Sequence, residues 1–531
     1  MRDQTRRVIR TPPPLDFRRI MLTTTNPATG VTNDTDIALT TPEETAERAT
    51  SAHAAFEQLR GSSREWRAGL LEALADGLES NRAELVAAAN DETGLGEARL
   101  NGELSRSQFQ FRLFADALRE GSYLEATIDH AGETPLGAAP ELRRMLLPIG
   151  PVAVFGSSNF PFAFSVVGGD TASALAAGNS VVIKAHSSHP LTSQLSFSTL
   201  ADAASAYGAP ESILGIVYGT ESGRVLVADP HIAAVGFTGS LGAGEALLAI
   251  ISTRPNPIPF YGELSSLNPL IVTPAAAAER TTQIAEGLFG SFTLGAGQFC
   301  TKPGVAFVPR GASGDAILED LRARTAAAGG MVLLNERISH SLTDILGRIT
   351  NDGGANVLAV GSLAGAGILA APTLLEIDAA DFTEATAEEA FGPVLVVARF
   401  DSLEQIFHAV DAMPGSLTAT IHHGDDEPDA VRQLSERIAP TVGRLVFNGF
   451  PTGVRVSWAQ HHGGNWPSTN SQHSSVGVSA IRRFLRPIAF QDAPAAVLPE
   501  ELREEFSSIP RRIDGVLVLP ARAATSKKVI V

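Results

Sequence analysis

The chain has 531 residues, 44% of them hydrophobic and 19% charged, which is enough for two or three domains with sizeable cores and excludes a small stapled scaffold. Its 41 Lys and Arg stand against 58 Asp and Glu, a formal charge of −17, which opposes extended contact with nucleic acid or an anionic membrane. The single cysteine, Cys300, excludes an intramolecular disulfide and a Cys-rich metal centre, so a reducing, cytoplasmic setting is expected.

Residues 1–20 combine Arg2, Arg6, Arg7, Arg10, Arg18 and Arg19 with Pro12-Pro13-Pro14; they read as a tail, with some of the composition of an organellar transit peptide and no apolar core of a secretory signal. Thr41-Pro42-Glu43-Glu44 supplies a capping Thr, a Pro at the first helical position and a Glu placed to close a capping box, so a helix is predicted to start there. Trp66, Leu70, Leu74 and Leu78 recur every four residues and predict a second amphipathic helix. Residues 41–125 are therefore expected to be mainly helical.

From residue 150 the pattern changes to short apolar runs separated by helical stretches: 152–155, 181–183, 213–217 and 233–237. Strands apolar on both faces belong to a covered parallel sheet, so an α/β unit is predicted. Runs at 270–272, 305–308, 394–397 and 445–447 predict a second one. No apolar run reaches the roughly 20 residues of a membrane-spanning helix.

Four segments carry candidate chemistry. Phe155-Gly156-Ser157-Ser158-Asn159-Phe160-Pro161-Phe162 follows a predicted strand, and an Asn amide there can either stabilise an oxyanion or form a turn before a helix. Phe237-Thr238-Gly239-Ser240-Leu241-Gly242-Ala243-Gly244 runs from a strand into a Gly-rich helix start, where free N–H groups favour a phosphate; it is not the dinucleotide fingerprint, and alone it is a weak signal. Glu263, between an aromatic-Gly turn and an apolar strand, is either a surface acid or a buried one whose raised pKa suits a general base. Cys300 stands in the Gly-rich loop 293–304, where glycines let the backbone approach a ligand; a lone Cys is otherwise a small buried hydrophobe.

Together and in this order, with Asn26-Pro27-Ala28-Thr29-Gly30, Lys184 at the end of a strand and Glu388-Glu389-Ala390-Phe391-Gly392-Pro393, these segments resemble the aldehyde dehydrogenase superfamily over residues 22–490. The resemblance implies an α/β fold with a Rossmann-type cofactor domain (22–128 and 150–263), an α/β catalytic domain (264–470), oligomerisation arms (129–149 and 484–516) and tails (1–21 and 517–531). It implies NAD(P)-dependent oxidation of a small-molecule aldehyde to a carboxylate through a thioester on Cys300. Glu263 would then be the base, and Asn159 would hold the oxyanion with the Cys300 backbone N–H. It further implies Lys184 at the adenosine ribose, Gly239 and Ser240 at the pyrophosphate, and Glu389 and Phe391 at the nicotinamide ribose. No metal is implied: His186 and His189 have no acid or Cys nearby in sequence, and His461-His462 reads as a polar loop. A homodimer or homotetramer is expected.

Two departures bear on the subfamily. Where NAD-preferring members commonly carry Glu three residues after the lysine, Ser187 stands here, and Lys184-Ala185-His186-Ser187-Ser188-His189 contains no acid; NADP, or both cofactors, is expected, with Arg224 a second phosphate partner or a plain surface arginine. The C-terminal part replaces the common Gly-Gly-x-Lys-x-Ser-Gly run with 447–454, His462-Gly463-Gly464 and 482–487, similar to the ketoglutaric semialdehyde (2,5-dioxovalerate) branch and its fatty-aldehyde relatives. Alternatives are another aliphatic aldehyde substrate, coenzyme A acylation, which Glu263 opposes, a cysteine hydrolase pairing Cys300 with a histidine such as His462, and an inactive scaffold.

Overall fold

The computed structural model describes residues 20–520; the expectations for residues 1–19 and 521–531 lie outside them. Thr41 caps the first helix, Pro42–Leu59, in the predicted manner: its hydroxyl accepts from the Glu44 N–H at 3.1 Å and the Glu44 carboxylate accepts from the Thr41 N–H at 2.9 Å. Helices Arg64–Ser80, Arg82–Thr93 and Glu97–Glu120 follow. Leu70, Leu74 and Leu78 are buried in the largest core cluster, with Trp66 half-buried at its edge.

The first α/β unit is a five-stranded parallel sheet in the order Phe260–Glu263, Ala234–Thr238, Val152–Phe155, Val181–Lys184, Leu214–Val217. The chain enters at the central strand Val152–Phe155, adds two strands on one side, and then crosses to the other. That reversal opens a crevice beyond the carboxyl ends of Val152–Phe155 and Ala234–Thr238, the place where such sheets bind ligands. Asn159 and Gly239 follow those two strands, and Lys184 and Glu263 end the strands that flank them.

The second unit is a seven-stranded sheet in the order Asn356–Val360, Thr373–Asp378, Val394–Phe400, Val305–Pro309, Leu270–Val272, Ser416–His422, Val442–Phe447, parallel except at its first pair. The runs predicted as strands are strands. Phe260–Glu263, Asn356–Val360, Thr373–Asp378 and Ser416–His422 were not legible as strands. Ser416–His422 shows why: it is buried throughout, yet its Ser, Thr and His break the apolar signature.

A third sheet joins Leu485–Gln491, Leu142–Pro148, Thr127–Asp129, Arg511–Ile513 and Val516–Val518. It starts at Thr127 and runs past residue 516, so Leu517 and Val518, expected in a tail, pair with Arg512 and Arg511. No described helix is long and apolar enough to cross a membrane.

Candidate active site

Cys300 lies beyond the helix Pro274–Thr293, in a loop that packs against the Glu389 segment. The chain needs glycine at Gly297: φ is 68° and a Cβ would meet the Gly392 carbonyl oxygen at 2.0 Å. Two buried polar side chains fix the loop. Asn268 donates from Nδ2 to the carbonyls of Cys300 at 2.8 Å and Lys302 at 3.0 Å, while its Oδ1 accepts from Ser266 and Thr418. Lys302 donates to the carbonyls of Ala390 and Val394, each at 3.0 Å.

Around the thiol the structure brings together Cys300, Glu263 and Asn159 and adds His462. The Cys300 Sγ is 3.6 Å from the His462 Nε2, which is 3.0 Å from the Glu263 Oε1. Ser475 donates to the Glu263 Oε2 at 2.8 Å. The three potential ligand atoms of Glu263, Cys300 and His462 lie within 4.8 Å of one another. The expectation that His461-His462 is a plain polar loop is therefore corrected for His462, which is buried against both groups. The loop returns to the first sheet because Leu264 N–H donates to Ser468 O and Gly262 N–H to Asn470 Oδ1. Ser474 Oγ then takes the His462 N–H at 2.9 Å.

Burial pushes the Cys300 thiol well above its ordinary pKa; the neighbouring Glu263 charge and hydrogen bond add to this, and Arg106 opposes it. The resting group is a thiol. Burial also pushes the Glu263 carboxyl up, but its interactions with His462, Ser475 and Cys300 outweigh it, so the net direction is downward. This corrects the expectation of a raised Glu263. His462, with its Nε2 against the sulfur, can draw the thiol proton away when a carbonyl carbon arrives.

Replacing His462 with Asn is expected to slow alkylation of Cys300 by iodoacetamide at neutral pH by about a hundredfold, the size of a lost proton acceptor. In the wild type that rate should keep climbing with pH beyond the midpoint of about 8.5 of an ordinary thiol. Stopped-flow alkylation from pH 6 to 10 measures both; a plateau below that midpoint would contradict a raised thiol.

Asn159 is buried and donates from Nδ2 to the Gln298 carbonyl at 3.0 Å, two residues before Cys300. The amide's second hydrogen remains for an oxyanion on the thiol's carbon. Arg99 holds the Asn159 carbonyl at 2.6 Å and lies over the Phe160 and Phe299 rings.

The predicted cofactor residues lie along the crevice. Lys184 ends its strand; burial and, after it, the positive charge of Arg337 lower its pKa to about 8, and among the described residues no carboxylate offsets either effect. Ser187 is exposed just beyond. Gly239 leads into Ser240, the N-cap of the helix Leu241–Ser252, whose side chain makes no capping bond. Glu389 accepts from the Ser266 N–H at 3.1 Å, and burial lifts its carboxyl to about 6; Phe391 is half-buried two residues on. A pair of cations without an acid and an open helix start fit a dinucleotide carrying phosphate groups. Arg337, on the helix Glu336–Asn351, was missed in sequence, while Arg224 pairs with Glu221 at 3.7 Å on the surface. His189 is tied to the Ser157 carbonyl at 2.8 Å and to Ser193, and burial lowers its pKa and that of His186.

A model of the aldehyde dehydrogenase family matches residues 18–487. Alpha-ketoglutaric semialdehyde dehydrogenase 2 of Azospirillum brasilense is 41% identical over 472 residues, covering 87% of this chain and 90% of that protein. Alpha-ketoglutaric semialdehyde dehydrogenase of Acinetobacter baylyi is 38% identical, covering 90% and 92%. Among solved structures, a variant of aldehyde dehydrogenase C of Pseudomonas syringae, complexed with NAD+ and octanal, superposes with a TM-score of 0.76 at 23% identity, covering 90% of this chain and 94% of that one.

Proposed function

Since the chain belongs to the aldehyde dehydrogenase family and is an NAD(P)-dependent oxidoreductase acting on aldehydes, we propose that it oxidises 2,5-dioxovalerate (ketoglutaric semialdehyde) to 2-oxoglutarate, with NADP preferred. The observation that carries the chemistry is the contact chain from Cys300 through His462 to Glu263. The substrate reading is supported by the two relatives at 41% and 38% identity, which carry that activity in their names.

Each group in the site has a task it is placed to perform. His462 takes the Cys300 proton as sulfur attacks the aldehyde carbon, and Asn159 donates to the resulting oxyanion. Lys184, Ser187, Gly239, Ser240, Glu389 and Phe391 would hold the dinucleotide, which when bound supplies the hydride acceptor. Cys300 then carries the acyl group as a thioester. Glu263, ionised and steadied by His462 and Ser475, takes a proton from water as it attacks that thioester, and the acid leaves. This route uses no metal, because the thiolate is itself the nucleophile, and a base that activates water argues against acyl transfer to coenzyme A.

The exposed Val516 and Leu517 on the arm sheet and Leu519 just beyond it support a homodimer or homotetramer that covers them, and the lone cysteine supports a cytoplasmic setting. NADPH formation across 2,5-dioxovalerate, succinic semialdehyde, pentanal and long aliphatic aldehydes tests the substrate. The first should give the highest kcat/KM; highest values for long aldehydes would move the enzyme to the fatty-aldehyde branch.

Cofactor preference has its own test. A carboxylate at position 187 would stand beside Lys184 and repel a 2′-phosphate. At an effective dielectric near 20, a unit-charge pair at about 4 Å is worth about 4 kcal/mol, and a quarter of that changes an affinity ratio about fivefold. Ser187→Glu should therefore shift the ratio of kcat/KM for NADP over NAD toward NAD by at least that factor, and Arg337→Met should weaken NADP more than NAD. An unchanged ratio in both variants would place the choice elsewhere.

A further inference from the structure

Helix Glu97–Glu120 turns one face toward the active-site aromatics, with Arg99, Glu103 and Arg106 along it. Their hydrogen bonding differs sharply. Arg99 donates from Nη2 to the Asn159 carbonyl, with its Nη1 left unpaired. Glu103 accepts from the N–H groups of Phe162 at 2.8 Å and Ala163 at 3.0 Å, and burial raises its pKa. Arg106 has neither an ion pair nor a hydrogen bond among the described residues, and its Nε and Nη2 are buried without a partner.

A guanidinium in that condition is costly, because its desolvated N–H groups forgo hydrogen bonds they would make in water. It is nonetheless held in place, with its carbon 5.0 Å from the Phe164 ring centroid and 5.9 Å from that of Phe160. Phe164 in turn lies 6.3 Å, centroid to centroid, from His462, the ring that touches the Cys300 sulfur. The rings of Phe164 and His462 thus link Arg106 to the reacting thiol, and its charge bears on both Cys300 and Glu263. Arg444 also bears on Cys300, but it already donates to the carbonyls of Pro451 and Gly453.

We propose that Arg106 binds the carboxylate of an ω-oxo acid substrate whose aldehyde carbon is at Cys300, and so sets the preference for acidic over neutral aldehydes. This rests on the reading of the protein as a 2,5-dioxovalerate dehydrogenase. The carboxyl and aldehyde carbons of such a five-carbon acid are separated by four bonds of about 1.5 Å, roughly 5 Å when extended, so a carboxylate on Arg106 would have its aldehyde end directed toward the Phe164–His462 side of the site. The fork of Arg106 can take both carboxylate oxygens, while Phe160 and Phe164 keep water from competing.

The test is the ratio of kcat/KM for 2,5-dioxovalerate to that for pentanal, an uncharged aldehyde of equal length, in wild type, Arg106→Met and Arg106→Lys. The wild-type ratio should fall about a hundredfold in Arg106→Met, mainly through KM for the acid, with Arg106→Lys between the two because it keeps charge without the fork. A second readout needs no turnover: 2-oxoglutarate should protect Cys300 of the wild type from alkylation and fail to protect Arg106→Met. A wild type that prefers pentanal overturns the substrate reading itself. A wild type that prefers the acid, with both substrates weakened equally in Arg106→Met and protection intact, overturns the role of Arg106 and leaves it a side chain that packs on Phe160 and Phe164.

Discussion

Cys300→Ala is expected to lower aldehyde oxidation at least about 10^4-fold, as removal of a nucleophile from a cooperating set does, while dinucleotide affinity stays unchanged. The reason is spatial. Cys300 is held by Asn268 and Lys302 in its own loop, whereas Lys184, Gly239 and Ser240 belong to the other sheet. The substitution removes one sulfur atom from a partly accessible position, so folding should be little affected. Steady-state NADPH formation and fluorescence titration with NADPH check the two halves. Residual activity within tenfold of the wild type would contradict a covalent route.

Glu263→Gln is expected to show a burst of one NADPH per active site followed by turnover slowed about 10^3-fold, within the range of a lost general base. The amide keeps the shape of the carboxylate, and one of its atoms can still meet Ser475 or His462. It cannot take a proton from water. Because the ionised Glu263 also raises the Cys300 pKa, the variant's thiol should deprotonate at lower pH than the wild type's, so alkylation of Cys300 should shift toward acid. The first step is therefore preserved while the second fails. Rapid-mixing absorbance at several pH values separates the two; loss of the burst together with steady-state turnover would assign Glu263 to thiol activation alone.

Much of the fold was legible in the sequence where local chemistry and tertiary structure agree. The Thr41–Glu44 capping box and the doubly buried strands at 152–155 and 305–309 need only their own residues to explain them. Ser416–His422 was hidden because its burial depends on hydroxyls whose partners are far away in the chain; Thr418, for example, is held by Asn268, 150 residues earlier. The same holds in the site. Cys300, Glu263 and Asn159 stand in distinctive segments, whereas His462 reaches Glu263 across 199 positions and Cys300 across 162. Arg337 and Arg106 had no local signal either: each is one arginine on an ordinary helix, and only the fold shows that the charge of Arg337 bears on Lys184 and that Arg106 has no partner among the described residues.

The central claim is that the acyl group passes through sulfur, and the most direct measurement traps it there. Glu263→Gln mixed with NADP and one equivalent of 2,5-dioxovalerate, quenched in acid after the burst and digested, should yield the peptide containing Cys300 heavier by the 2-oxoglutaryl group and cleavable by hydroxylamine. An unmodified Cys300 peptide accompanied by stoichiometric NADPH and free 2-oxoglutarate would contradict the account.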